Sequence, residues 1–473
     1  MLPTKDYYSI FPSVVPANQK TEITIAAMER ALMFSEEYEY VISVYDINTD
    51  VKNYLAHKTE RRFPVLAKDG VIKFEYEFFD EQEHLLILEK NGEVLERFNV
   101  YSLYEDLYKL RPMKGDFHSH SYRSDGLRDP VSLFGYYREQ GYDCFALTDH
   151  NRFYPGGEID EAFLGVRTGI IRVPGEEVHT PPSPVHIVRI GGRNSVCDKY
   201  FRTPEKYNEE IEEYLNRVPS EIPEIYREKF ARAMWATDKI HEEDGIAILA
   251  HPYWRPGNLE YNICEELATI LLKSGMFDAY ELVGGMGQIG VNHSINLWNE
   301  LRAEGLKIPV VGSSDAHSIT QSTYFPFYYT ICFAENDSIN SVVDAIKNGR
   351  CVAVEANGSD EYNRQFRVYG PLRYVSYAQY LLTYFFPAFQ RLCEGEGVAM
   401  RAYAMGDAPK ELIEMQGDLC ERFRGRFFGK LPPLLPTEEI LAFENKWRKT
   451  QLDGPLTKGS SLNISNGVIT RKI

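Results

Sequence analysis

The sequence predicts an α/β protein in which alternating strands and helices stand between a β-rich N-terminal domain and a helical C-terminal region. Three observations predict it: alternating apolar and polar residues within 1–108, repeated strand and helix patterns in 109–358, and aromatic-rich helical patterns in 359–473. A chain of 473 residues is also longer than one ordinary core, which agrees with two or three domains.

Residues 1–108 have the pattern of a small β-sandwich. In GVIKFEYEF (70–78), apolar and charged side chains alternate, which is typical of a strand with one buried face. Asn91 and Gly92 lie between two apolar runs, a pattern that indicates a two-residue hairpin turn. This part of the sequence holds no cluster of potential ligands, so it indicates no function.

Residues 109–358 repeat a unit in which a helix leads to a short buried strand. In the first unit, Asp129 is a predicted N-cap, Pro130 suits the first helical turn and Gly141 ends the helix. The strand CFALT then leads to Asp149 and His150, and most later strands also end in polar residues. In a (β/α) barrel these strand ends converge on one face, so their side chains are predicted to line one site.

Residues 359–473 are predicted to form a helical extension whose last stretch, 457–473, is rich in Gly, Ser and Asn and is predicted to be loose. The stretch RFRGRFFGK (422–430) interleaves Arg with Phe, as single-stranded nucleic-acid grooves do. Because the chain as a whole is acidic, we interpret it as a solvated arginine face with phenylalanines packed inward.

Composition restricts the class of partner and the compartment. The net charge of −17 disfavours long nucleic acids, unless local cations hold them. Seven scattered cysteines without a CxxC motif predict reduced thiols rather than disulfides or a cysteine zinc site. We see no signal peptide at the N-terminus and no apolar run near the ~20 residues of a membrane span. The sequence therefore predicts a soluble cytoplasmic protein and leaves the oligomeric state open.

Histidine is the most informative residue type, because nine of the eleven histidines lie in 118–317. His118 and His120 occupy alternate positions at the end of a predicted strand, so their imidazoles point the same way. Other motif histidines and acidic residues follow in the same segment: Asp125, Asp149, His150, Glu176, Glu177, His186, His251, Asp315 and His317. Imidazole and carboxylate without thiolate suit zinc, manganese or iron, and so many ligands indicate more than one metal.

The motifs DFHSHSYRSDG, ALTDHN, PGEEV, VHIVRIG, ILAHP and SDAH, in this order, resemble those of the polymerase and histidinol phosphatase (PHP) family of metal-dependent phosphoesterases. The resemblance covers residues 115 to about 355, roughly half the chain. It implies a distorted (β/α)7 barrel with a trinuclear metal site.

The resemblance also implies which residues hold the metals. The first metal would be held by His118, His120, Glu177 and Asp315, the second by Glu177, His186 and His251, and the third by Asp125, His150 and His317. Two alternatives stay open: Glu176 in place of Glu177, and His179 in place of His186. Asp149 is predicted to orient His150 or, as the less favoured alternative, to cap a turn. Glu281 is either a supporting residue of the site or a structural carboxylate.

Clustered divalent cations neutralise phosphate oxygens, lower the pKa of a bound water and stabilise the attacking and leaving oxygens. The predicted nucleophile is therefore a metal-bound hydroxide, with Asp125 and His150 counted among the catalytic residues. A guanidinium would suit the substrate phosphate, and Arg123, Arg152 and Arg255 lie near ligand motifs; Arg123 and Arg255 are the chosen candidates.

The predicted function is hydrolysis of a phosphate mono- or diester in a small phosphorylated metabolite or nucleotide. One alternative is a 3′–5′ exonuclease or oligonucleotide phosphoesterase. A second alternative is a non-catalytic, metal-containing binding or scaffold module, which the intact ligand set disfavours. No membrane partner is expected.

Overall fold

The computed structural model describes residues 7–49, 61–320, 324–357, 365–452, 462–465 and 468–471. Two compact units are present. The central unit comprises residues 104–425, and the terminal unit comprises the residues up to Leu103 together with those from Arg426 onward. In the described parts of the chain, no helix is long and apolar enough to cross a membrane.

In its described residues, the terminal unit begins with nine strands in two sheets that share an apolar core. The strands are β1 (Tyr8–Phe11), β2 (Val14–Pro16), β3 (Lys20–Ala27), β4 (Tyr40–Asp46), β5 (Arg62–Val65), β6 (Ala67–Lys68), β7 (Val71–Glu77), β8 (Gln82–Lys90) and β9 (Glu93–Leu103). Their orders are β1-β3-β7-β6 and β2-β9-β8-β4-β5. Strands β8 and β9 pair across Asn91 and Gly92, whose φ angles of +50° and +84° suit a two-residue hairpin turn.

The central unit is a mixed α/β structure. Its first half contains α1 (Glu105–Tyr108), β10 (Arg111–Asp116), α2 (Pro130–Glu139), β11 (Cys144–Ala146), α3 (Pro155–Ala162), β12 (Ile171–Val173), β13 (Gly175–His179), β14 (His186–Gly191), α4 (Cys197–Arg202), α5 (Pro204–Arg217) and α6 (Glu224–Glu242). Its second half contains β15 (Gly245–Leu249), α7 (Glu265–Lys273), β16 (Ala279–Val283), α8 (Gln288–Ala303), β17 (Val310–Gly312), β18 (Tyr328–Ala334), α9 (Ile339–Lys347), β19 (Cys351–Asn357), β20 (Gln365–Tyr369), α10 (Leu372–Tyr384), α11 (Phe386–Ala404) and α12 (Lys410–Phe427).

The strands of the central unit form two sheets. Their orders are β12-β11-β10-β18-β19-β20 and β13-β14-β15-β16-β17. Strands β10, β11 and β12 run parallel in the first sheet, and β15, β16 and β17 run parallel in the second. Backbone bridges between Ser119 and Ala316 and between His150 and Glu177 join the chain just beyond these strands. The polar residues that follow the parallel strands are thereby drawn together.

Helix α2 shows how local sequence sets the ends of a helix. The Asp129 carboxylate accepts a hydrogen bond from the Ser132 N–H at 2.8 Å, and Pro130 occupies the first turn. Gly141 follows the helix with a φ of +76°, a conformation that glycine adopts without strain. These observations confirm the predicted cap and helix end.

The C-terminal residues are divided between the two units. Helices α10 and α11 and nearly all of α12 belong to the central unit, and the terminal unit continues with α13 (Glu438–Leu452), β21 (Leu462–Ser465) and β22 (Val468–Arg471). Strands β21 and β22 pair antiparallel, so these parts of the predicted loose tail are ordered as a hairpin. The rest of the tail lies outside the described residues.

The prediction of a solvated arginine face in 422–430 is wrong for Arg424. This guanidinium is buried, donates to the Pro112 carbonyl at 2.9 Å and pairs with Asp143. A buried guanidinium needs several acceptors, and Asp143 with the Pro112 carbonyl supplies them from the sheet side of the unit.

Candidate metal centre

The paired histidines that follow β10 lie together in a buried cluster of imidazoles and carboxylates. Both rings are almost completely buried. The Nε2 atoms of His118 and His120 each lie 3.3 Å from Glu177 Oε2, and they lie 3.3 and 3.0 Å, respectively, from Asp315 Oδ1. The two imidazoles therefore point the same way, as the period of two predicts.

Glu177 is the centre of the cluster. It is fully buried on β13, and its two oxygens lie within 3.4 Å of a nitrogen on each of six imidazoles: His118, His120, His150, His179, His186 and His251. A carboxylate has about four lone-pair positions, so hydrogen bonds to all six rings at once are not possible.

His186 reaches the cluster because of the direction of its strand. β14 runs antiparallel to both β13 and β15, so its first residue lies at the edge where those two strands end. His186 Nδ1 is 2.8 Å from Glu177 Oε1, and the His186 ring stacks on His179 with centroids 3.7 Å apart. The structure therefore brings both histidines to Glu177, and the alternative between them stays open.

The solvent side of the cluster is formed around Asp125. Its side chain is half exposed, and its Oδ2 lies 3.2 Å from His317 Nε2 and 3.3 Å from His150 Nε2. Among the residues that the structure describes, five groups of potential ligand atoms are close enough to hold an ion: His120–Asp125–His150–His317, His118–His120–Asp315, Glu177–His186–His251, His150–Glu177–His179 and His118–His251–Glu281. All nine ligands implied by the resemblance occur in these groups.

Many of the buried polar atoms of the cluster have no hydrogen-bond partner. They are Nε2 of His118, His120 and His179, Nδ1 of His150, His186 and His251, both oxygens of Glu177, Oε1 of Glu281 and Oδ1 of Asp315. A buried polar atom without a partner costs about 1–3 kcal/mol, and native proteins rarely collect many of them. Bound cations would satisfy these donor atoms, so the residues fit divalent metal ions.

Charges within the cluster shift the pKa of His118. Burial lowers its pKa, but the nearby carboxylates of Asp315, Glu281 and Glu177 outweigh burial and raise the pKa well above its ordinary value. Burial favours the neutral form of Glu177, yet His118 and the other imidazoles hold the pKa of this carboxyl well below its usual range.

The pKa of His150 moves in the same direction as that of His118. Burial lowers it, while contacts with Asp125 and Glu177 raise the pKa to about 10. For His186 burial dominates and lowers the pKa to about 4. An imidazole with a raised pKa holds a proton that a metal ion must displace. Metal binding is therefore expected to become stronger as the pH rises.

The backbone is strained where two predicted ligands lie. His251 after β15 has a φ of +22°, and Asp315 after β17 has a φ of +49°. Gly285 approaches the cluster so closely that a Cβ atom there would lie 2.9 Å from Glu281 Oε1 and from His251 Cδ2. Strain of this kind in non-glycine residues is common at functional sites, where the surroundings hold it in place.

Asp116 and Asp149 fix the loops that carry ligands. Asp116 is fully buried, burial raises its pKa to about 6, and it accepts hydrogen bonds from the Ser314 N–H at 3.0 Å and the Tyr137 hydroxyl at 3.0 Å. Asp149 accepts from the Ser121 N–H at 2.8 Å and from the Ser124 hydroxyl at 2.7 Å. Asp149 was expected to orient His150; the structure instead gives it the loop between His120 and Asp125 as its partner.

Glu176 faces a different environment from Glu177. It accepts from Arg189 Nη1 at 2.8 Å, the Val196 N–H at 2.6 Å and the Ser195 hydroxyl at 2.8 Å. Because side chains alternate along β13, Glu177 and His179 share the face that borders the cluster. The same alternation brings His179, the alternative that the sequence left open, to the cluster.

The two arginines predicted to bind the substrate phosphate, Arg123 and Arg255, both have hydrogen-bond partners within the protein. Arg123 donates to both oxygens of Glu158, at 2.7 and 3.0 Å. Arg255 donates to the carbonyls of Leu259 at 2.9 Å and Asn258 at 2.7 Å. Their role as phosphate clamps stays a prediction.

Glu281 on β16 supports the cluster through His118, since its Oε2 lies 2.8 Å from His118 Nδ1. Leucine in place of Glu281 is expected to weaken metal binding by about 10–100-fold, because it removes the acceptor that orients this ring. Competition with a chromophoric chelator measures the metal affinity. The matched control is Glu355→Leu, a second fully buried strand carboxylate that interacts with Arg367 and Tyr369. Equal metal affinities in the two variants would contradict the supporting role.

In comparisons with known proteins, no family model and no curated protein matches the chain. Several solved structures do match the chain. A two-domain protein from Bacteroides vulgatus, named for a PHP-like metal-dependent phosphoesterase, is 18% identical, with a TM-score of 0.37 over 56% of this chain and 77% of its own. A protein from Bifidobacterium adolescentis, named as a metal-dependent phosphoesterase, is 15% identical, with a TM-score of 0.32 over 53% of this chain and 98% of its own.

A third structure, named as an amidohydrolase from Chromobacterium violaceum, is 20% identical, with a TM-score of 0.31 over 44% of this chain and 89% of its own. The histidine and carboxylate cluster of this chain itself fits a metal site.

Proposed function

We propose that the protein is a metal-dependent phosphoesterase that hydrolyses a phosphate mono- or diester of a small metabolite or nucleotide. One observation supports this most: the buried donor atoms without partners that surround Glu177. A compact group of cations would satisfy these imidazole and carboxylate atoms together. Two or three zinc, manganese or iron ions are the proposed cofactors.

The proposed ligands are those that the resemblance implies: His118, His120, Asp125, His150, Glu177, His186, His251, Asp315 and His317. His179 is an additional candidate because it lies 3.4 Å from Glu177 Oε1. When bound, divalent metals neutralise phosphate oxygens and lower the pKa of water toward neutrality. The chain's own residues hold the ligands in position: Glu281 orients His118, and Asp116 and Asp149 fix the loops.

The substrate is proposed to enter beside Asp125, which lies on the exposed side of the cluster with His150 and His317. A small substrate is favoured over a long nucleic acid, because the net charge of −17 repels polyanions. We further propose that the two sheets of the central unit together correspond to the distorted (β/α)7 barrel, and that the protein acts in the cytoplasm.

The test uses the full chain purified without added metal. Elemental analysis should find bound divalent metal. Hydrolysis of p-nitrophenyl phosphate or bis(p-nitrophenyl) phosphate should stop after chelation and return with Mn²⁺, Zn²⁺ or Fe²⁺. Faster removal of 3′-terminal nucleotides from an oligonucleotide would favour the nuclease alternative. Metal-replete protein that hydrolyses no phosphoester would overturn the proposal in favour of a binding module.

A further inference from the structure

An exposed tryptophan lies against two residues of the candidate metal centre. The Trp254 ring centroid is 5.8 Å from that of His186 and 5.8 Å from that of His251. These are ordinary distances between contacting aromatic rings. Trp254 is nevertheless 37% exposed, so part of its surface faces solvent beside the ligands.

Backbone hydrogen bonds hold the loop of Trp254 in place. The Trp254 N–H donates to the His251 carbonyl at 3.0 Å, and the Trp254 carbonyl accepts from the Asn262 N–H at 2.7 Å. Arg255 closes the same loop by donating to the Leu259 and Asn258 carbonyls. A contact surface that is ordered before binding loses less conformational entropy when a ligand arrives.

Trp254 differs from two other exposed aromatic residues that follow ligand histidines. Arg123 lies over the Tyr122 ring at 4.6 Å, and the Tyr154 hydroxyl accepts from Arg152 at 2.8 Å. For Trp254, no cation lies over the ring and no acceptor meets the indole N–H within the described part of the chain. Both a ring face and a donor are therefore available to a ligand.

We propose that Trp254 is a specificity-determining residue that stacks against a planar ring in the organic part of the substrate. The inference rests on the proposed function, since a phosphate held by the cluster would bring its ester group next to this indole. Stacking on an indole selects flat, ring-bearing groups, such as aryl groups or nucleobases, over flexible aliphatic ones. The substrate class is thus a ring-bearing phosphoester.

The test compares phenyl phosphate with glycerol 1-phosphate in metal-replete wild type, Trp254→Ala and Trp254→Phe. The ratio of kcat/KM for phenyl over glycerol phosphate is expected to fall about tenfold in the alanine variant, mainly through KM, the effect of about one lost stacking contact. Phenylalanine should restore most of the ratio, and the metal content should not change. Leu259→Ala is the control, since this side chain is 69% exposed on the same loop.

Fluorescence gives a readout that is independent of turnover. Phenylphosphonate, which is not hydrolysed, should quench part of the tryptophan emission of the wild type, and this part should be missing in Trp254→Phe. An unchanged substrate ratio in Trp254→Ala, or an equal loss for both esters, would overturn the inference and leave the proposed function standing. A wild type that hydrolyses neither of these esters, nor p-nitrophenyl phosphate or bis(p-nitrophenyl) phosphate, would overturn the proposed function, and the inference with it.

Discussion

Glutamine in place of Glu177 is expected to lower phosphoester hydrolysis by at least about a thousandfold and to reduce the bound metal. The Glu177 carboxylate contacts six imidazoles, the most distant of these contacts being 3.4 Å. Glutamine has nearly the same shape but no charge, and its amide N–H groups would face the imidazoles. Metal-ion catalysis contributes several kcal/mol of transition-state stabilisation, and each 1.36 kcal/mol is tenfold in rate.

The neighbouring residue supplies the control. Glu176→Gln should lower stability, because it removes the charge that pairs with the fully buried Arg189. The metal content of the folded protein should stay that of the wild type. Elemental analysis and p-nitrophenyl phosphate hydrolysis on both variants separate the two roles. Metal loss in the Glu176 variant with full occupancy in the Glu177 variant would reverse the assignment of the two carboxylates.

Local sequence patterns predicted much of the candidate site. A period of two placed His118 and His120 on one face, and the convergence of strand ends brought distant motifs together. In the structure, Glu177 and Glu176 lie on opposite faces of β13, and Glu176 is the cross-strand partner of Arg189 on β14. This pairing is not visible in the sequence, because it depends on the register between two strands.

Strand direction and distant partners were the other features that the sequence did not reveal. His186 reaches the site only because β14 is antiparallel, whereas the repeated strand and helix pattern suggests parallel strands. Glu281 stayed ambiguous because its partner His118 is 163 residues away in the chain. One sequence contains no signal for such a pair, since the two side chains meet only after both strands have folded.

The C-terminal helices were interpreted as an extension, but α11 packs closely on α2. Gly135 and Gly397 face each other: a Cβ on Gly397 would lie 2.5 Å from the Gly135 carbonyl oxygen. One turn along α2, Arg138 is fully buried and donates to Glu396 Oε2 at 2.7 Å and to the Tyr142 carbonyl at 3.1 Å. The sequence did not suggest this pair, which lies 258 residues apart.

Methionine in place of Arg138 is expected to destabilise the central unit by about 3–5 kcal/mol, because it leaves the buried Glu396 carboxylate without its counter-charge. Urea unfolding measures the change in the free energy of unfolding. The double variant Arg138→Met with Glu396→Gln should recover much of the loss. Glutamine at position 396 carries no charge, so it needs no counter-charge. Its side-chain carbonyl can still accept the hydrogen bond that the Gly169 N–H donates to Glu396 in the wild type.

The double variant separates two explanations of a large effect. If Arg138 acted only by filling space, neutralising Glu396 would bring no recovery, because the methionine cavity would be the same in both proteins. Recovery shows that the cost lies in an uncompensated buried charge between α2 and α11. An Arg138→Met protein as stable as the wild type would instead mean that the buried pair of Arg138 and Glu396 contributes little to the stability of the central unit.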